Sequence, residues 1–233
     1  MKNISKKYKG FSLIELLLTM MILTIIMLLV ATTLNTVIKV SNTTNSKNTA
    51  RSNMGYIMDF MSRALTNAEL ADIYLFNSSG IRFLGEGVGG QLSIISSPIG
   101  GVYNNGELGD LPRSGNEIHI KLYGYDDWTC IGYFKDVNSS SYGYLVRTVY
   151  EGDMGEDHSS CFDADAIITP MHSFMVDVSE FGIDYVVVGD GQNRMFLLNA
   201  ELRPLYWPVG DTFPVTREVT RQAVVSTQAL TWY

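Results

Sequence analysis

Lys9-Gly10-Phe11-Ser12-Leu13-Ile14-Glu15, followed by the uncharged stretch from Leu16 to Ile38, is the part of this chain that decides its architecture. The run Leu16, Leu17, Leu18, Thr19, Met20, Met21, Ile22, Leu23, Thr24, Ile25, Ile26, Met27, Leu28, Leu29, Val30, Ala31 is apolar on every helical face. A helix without a polar face belongs in lipid or inside a bundle of helices. At about 1.5 Å per residue, the uncharged stretch spans about 34 Å, enough to cross a hydrocarbon core. Four lysines, Lys2, Lys6, Lys7 and Lys9, precede it. The positive-inside rule therefore places the start of the chain in the cytoplasm and the bulk of it outside.

A secretory signal would show a shorter apolar stretch and a small-residue cleavage site at its far end. Nothing of the Ala-x-Ala kind is found there, and the distinctive residues lie in front of the apolar run. Basic leader, Gly10-Phe11, Glu15 and apolar helix, in that order, resemble the class III signal of type IV pilins and type II secretion pseudopilins. The resemblance implies that a prepilin peptidase cuts after Gly10 and methylates Phe11, leaving the helix on the mature chain. A carboxylate at the start of a lipid-facing helix costs about 2.5–3.5 kcal/mol near the bilayer centre and less near the interface, so Glu15 needs a reason. In the family that reason is pairing with the free amino terminus of a neighbouring subunit, which makes Glu15 the expected assembly residue. The partners implied are other pilin or pseudopilin subunits, the prepilin peptidase, an inner-membrane assembly platform, and membrane lipid before assembly. The location implied is the cytoplasmic membrane, single-pass with the C-terminal head outside, and then a periplasmic or cell-surface filament.

The domain organisation extends outward from this segment: residues 1–10 as cleaved leader, 11–38 as transmembrane and polymerisation helix, 39–70 as amphipathic continuation, and 71–233 as an extracytoplasmic β-rich head. Many major pilins carry a glycine and a proline within the apolar segment, where this chain has Thr24 and Thr32. Its arm is expected to stay helical for longer, which suits a minor or initiating subunit. Beyond Lys39 the polar stretch from Ser41 to Thr49 has modest helix propensity. Helical spacing returns with Met54, Ile57, Met58, Met61, Leu65 and Ala68, interleaved with Arg51, Asp59 and Arg63. That stripe reads as core packing against the head.

From Ile73 the period shortens to that of strands, expected at Ile73 to Phe76, Ile81 to Leu84, Leu92 to Ser96, Glu117 to Tyr125, Thr129 to Phe134, Tyr142 to Tyr150, Phe174 to Val178, Ile183 to Val188, Met195 to Leu198 and Ala223 to Val225. One long helix followed by an antiparallel sheet is an α+β arrangement, the lollipop of the pilin family. The block from Arg51 to Leu70, with Phe60-Met61-Ser62-Arg63-Ala64-Leu65, is similar to the equivalent stretch of pilus-assembly protein W and pseudopilin J. The ending Arg221 to Gln228 is loosely similar to theirs but lacks the usual arginine-asparagine close. These likenesses point to a minor subunit of a pilus-like filament, acting in initiation, assembly or tip display. The alternatives are a subunit of a type II secretion pseudopilus and a tip adhesin.

The formal charge is −7 at pH 7, and with the four leader lysines set aside the remainder carries −11. So acidic a head repels phosphate backbones, and general nucleic-acid binding is not expected. The chain has two cysteines, Cys130 and Cys161, with no CxxC or Cys/His cluster of metal-ligand spacing in the sequence. In a secreted head they read most simply as one disulfide, the alternative being two unrelated thiols. Gly85-Glu86-Gly87-Val88-Gly89-Gly90 spells GxGxxG, but the next residues, Gln91 to Pro98, read as a strand and a stop, so the glycine run is taken as a hairpin or surface loop. His119, His158 and His172 are scattered, and no nucleophile elbow accompanies them. No enzyme is expected. No cofactor is expected either, with one conditional exception. Glu151 to Asp165 holds six carboxylates in fifteen residues. Asp153, Glu156, Asp157, Asp163 and Asp165 are its candidate ligands for Ca²⁺, a hard cation that takes several oxygens, although the spacing is not that of an EF-hand.

Overall fold

The structure is a computed structural model, and it describes residues 12–77, 83–86, 92–96, 106–107, 114–136, 139–151, 161–162, 166–188, 193–205 and 218–227. The chain divides into two compact units, Met1–Asn45 and Ser46–Tyr233. The one α-helix among the described residues, α1, runs from Leu13 to Thr66.

Within the first unit α1 meets no breaker, since no glycine or proline falls between Gly10 and Gly55. Ser12 to Ile38 are exposed on all sides. The helix continues through the positions where a break was in question: the Thr24 hydroxyl donates to the Met21 carbonyl at 2.8 Å and the Thr32 hydroxyl to the Leu29 carbonyl at 2.9 Å. A hydroxyl satisfied by its own helix adds no unmet donor, a requirement for any segment placed in lipid.

The second unit contains the rest of α1 and two sheets. The first sheet is built on the path β3 (Leu92–Ser96), β2 (Phe83–Glu86), β7 (Asp127–Asp136), β6 (Glu117–Leu122), β1 (Ala68–Phe76) and β4 (Gly106–Glu107). To β7 it adds β8 (Ser139–Glu151), which in turn pairs with β9 (Thr169–Pro170). The second sheet has the order β12 (Val219–Thr227), β11 (Asn193–Pro204), β10 (Val176–Val188), β5 (Ser114–Gly115). Among the described residues every pairing is antiparallel except the short parallel contact of β2 with β7. The architecture is α+β: a long N-terminal helix and antiparallel sheets.

Helix α1 buries Ala50, Met54, Ile57, Met58, Met61, Ala64 and Leu65, spaced three and four apart on one face. They join Ile73, Leu75, Ile118, Ile120, Ile131 and Leu145 of the first sheet, and Val178, Ile183, Phe196, Leu198 and Leu202 of the second, in the main core. Strand residues one step away point the opposite way. Trp128, Cys130, Phe134 and Val146 belong to a second, smaller cluster on the other face of the first sheet, closed by Cys161 and Phe162. Gly132 makes room for this closure, because a Cβ there would lie 2.7 Å from the Phe134 ring and 3.2 Å from that of Phe162.

Three sequence expectations are corrected by pairing. The helical spacing that included Ala68, and the continuation to residue 70, give way at Thr66. Asn67 donates to the Arg63 carbonyl and accepts from Tyr123, and β1 starts at Ala68 to pair with β6. Ala68 is buried as expected, but from a strand. The strand expected to run to Tyr125 ends at Leu122, where Tyr123-Gly124 form a turn and Gly124 takes a φ of 79°. The two strands expected at Phe174 to Val178 and Ile183 to Val188 are one strand, β10. The apparent break is an irregularity in register between Val178 and Glu180 against β11.

Candidate functional site: the N-terminal helix and the covered face of the head

Ser12 stands just before the first helical turn and Glu15 in it. The Ser12 backbone N–H donates to Oε2 of Glu15 at 3.0 Å, while the N–H of Glu15 donates to the Ser12 carbonyl at 3.0 Å. This is the glutamate half of a capping box, in which the third helical residue reaches back to the N-cap amide. Ser12-Leu13-Ile14-Glu15 spells that signature, so the cap is legible in the sequence, although it was not among the expectations. It relieves one orphan donor at an end where four amides lack helical partners. The carboxylate also faces the positive end of the helix dipole. Gly10 and Phe11 lie outside the described residues.

In the second unit Cys130 and Cys161 are disulfide-bonded, with Cα atoms 6.0 Å apart. Cys130 lies on β7, directly across from His119 of β6. Glu117 and His119, two residues apart on the same strand face, are both fully buried, and Oε1 of Glu117 lies 2.9 Å from Nε2 of His119. The His119 ring sits 4.5 Å from that of Phe76 and 6.3 Å from that of Phe162. The sequence alone leaves the direction of His119 open. Glu117, His119 and Lys121 alternate with Ile118, Ile120 and Leu122, and that strand period is the signal that Glu117 and His119 share a face. Asp153, Glu156, Asp157, Asp163 and Asp165, the calcium candidates, lie outside the described residues, as does His158.

A third polar cluster was not anticipated. Asp177, 2 % exposed, accepts the Gly143 N–H at 2.6 Å and is paired with Arg203. Gly143 is held against β10 so closely that a Cβ would lie 2.3 Å from the Val178 carbonyl oxygen. Nearby, the Tyr133 hydroxyl donates to the Ser179 carbonyl at 3.1 Å; its pKa is pushed up to about 12, by burial first and then by the charges of Asp177 and Glu180. Through Gly143, Tyr133 and Arg203 these contacts tie β8, β7 and β11 to β10, and they are structural. Gly85 and Glu86 of the GxGxxG run lie in β2, which pairs antiparallel with β3, while Gly87 to Gly90 lie outside the described residues.

The family model of the prokaryotic N-terminal methylation motif matches residues 5–31. The chain carries a pilin-type prepilin signal. No curated protein and no solved structure matches it. With the prepilin signal goes the one helix among the described residues long and apolar enough to cross a membrane, and together they indicate a membrane-anchored, single-pass protein. The signal points to processing by prepilin peptidase and to assembly with other pilin-type subunits, a structural role.

Proposed function

We propose that this chain is a minor pilin or pseudopilin, a subunit that enters a type IV pilus-like filament and acts in its initiation, assembly or tip display. The observation that carries the reading is Glu15, a carboxylate in the first turn of a helix whose flanks are exposed and apolar, five residues past Gly10. An apolar stalk of this kind loses little by moving from lipid to a bundle of like stalks, and the carboxylate supplies the register. Helical continuity through Thr24 and Thr32 supports the minor or initiating role, since such a stalk needs no melted stretch.

The test separates the charge of Glu15 from its cap. Glu15→Gln keeps an acceptor for the Ser12 amide and removes the charge. Mass spectrometry of the mature wild-type chain is expected to show an N-methylated Phe11 at its start. The Glu15→Gln chain is expected to insert and be cut normally, yet to be absent from sheared filaments. Entry at the parental level, or a mature chain that retains Met1, contradicts the reading.

A further inference from the structure

The face of the first sheet beneath Cys161-Phe162 gathers more chemistry than a disulfide needs. His119 and Cys130 are cross-strand partners on β6 and β7, and Cys161 closes over them. None of the three is more than 1 % exposed, and their ligating atoms, the imidazole nitrogen and two Sγ atoms, all lie within 4.8 Å of one another. The Glu117 carboxylate lies 2.9 Å from Nε2 of this imidazole and is itself fully buried. Burying a carboxylate and an imidazole is costly where apolar residues would fill the same space. The disulfide employs neither of them. A carboxylate paired with a histidine that stands beside two cysteine sulfurs is, by contrast, the arrangement that orients an imidazole toward a metal.

We infer that, when the disulfide is reduced, His119, Cys130 and Cys161 bind one Zn²⁺, with Glu117 as the positioning residue of the imidazole. Two thiolates and one imidazole suit this borderline-soft cation, and tetrahedral zinc places such donors about 3.5–3.8 Å apart. The imidazole nitrogen therefore has to close in by no more than about an ångström, and the sulfurs to separate once their bond is broken. The conversion balances with a thiol reductant. Two electrons and two protons pass from the reductant, which becomes its own disulfide, to the Cys130–Cys161 bond and leave two thiols. Zn²⁺ then displaces both thiol protons to solvent, and reoxidation releases the ion. In either state the Cys161-Phe162 segment stays fastened over the second hydrophobic cluster, by a covalent bond under oxidising conditions and by the metal under reducing ones. This inference does not depend on the filament reading.

The experiment uses the full chain in detergent, reduced with a phosphine, desalted without oxygen and titrated with Co²⁺ and then Zn²⁺. One Co²⁺ per chain is expected, with thiolate-to-metal charge-transfer absorption and the visible bands of a tetrahedral site, bleached by Zn²⁺ and absent from the oxidised chain. Glu117→Gln is expected to weaken Zn²⁺ binding about 10–100-fold, and His119→Asn by more. Disulfide formation in the oxidised variants checks that they fold. In the unaltered chain Zn²⁺ is expected to slow alkylation of Cys130 and Cys161. A reduced chain without the charge-transfer band, alkylation unaffected by Zn²⁺, or parental affinity in folded His119→Asn overturns the inference.

Discussion

His172 is held in one tautomer by two backbone groups. Its Nε2 accepts the Leu145 N–H at 3.3 Å, so the proton sits on Nδ1, 3.1 Å from the Ser173 carbonyl oxygen. Burial lowers its pKa below the usual 6.5, against smaller opposing effects from the Ser173 carbonyl and the Asp177 charge. The sign of the linkage is set by proton uptake. Below 6.5 the unfolded chain binds this proton and the folded chain resists it, so the contribution is complete above 6.5 and is lost as pH falls toward the lowered value. Protonation would also place a donor at Nε2 against the Leu145 amide. Urea midpoints measured from pH 7.5 down to pH 5 should therefore decline, and His172→Gln should decline less over the same interval. Equal slopes in the two proteins would show that His172 does not contribute.

At the scale of elements, one helix has two environments along its length. In the second unit, Ile57 and Met61 are wholly buried in the main core, whereas Leu23, in the first unit, is 55 % exposed. Truncation of a buried Ile or Met to Ala removes apolar burial and leaves a cavity, at a cost of about 2–5 kcal/mol. Denaturant unfolding of the full chain in detergent should show a loss of that size for Met61→Ala. Leu23→Ala should change it by less than about 0.5 kcal/mol. The stripe from Met54 to Leu65 was readable because helical period and burial coincide there. The end of the helix was not: Ala68 keeps the period, and only pairing of β1 with β6, far along the chain, turns it into a strand. The same holds for β10, where two strands were expected, one ending at Val178 and the next starting at Ile183. Twelve register partners on β11 carry one strand through both. The polar pairs Asp177–Arg203 and Glu117–His119 differ in legibility for the same reason. The first joins two strands whose alignment no local pattern specifies, and the second lies within one strand and obeys its period.

Over the whole molecule, the described core of the first sheet is covered on its two faces by different means. One face is covered by α1 and the second sheet, a large apolar contact. The other is covered, among the described residues, by Cys161 and Phe162, with Phe162 set edge-on to Phe134 at 5.0 Å and the disulfide as its anchor. Within this lid the buried ring of Phe162 contributes about 1.5–3 kcal/mol. The covalent bond adds to this, closing a loop with a sequence separation of 31 for about 3–4 kcal/mol of unfolded-chain entropy. The two faces should then respond differently when the bond is removed. In a chain carrying both Cys130→Ala and Cys161→Ala, hydrogen exchange is expected to quicken first at Phe162 and around Trp128, while the Met54 to Leu65 turns of α1 keep most of their protection. Total stability should fall by about 3 kcal/mol. A uniform loss of protection over both faces would mean that the sheet unfolds as one unit and that the lid is held by more than its bond.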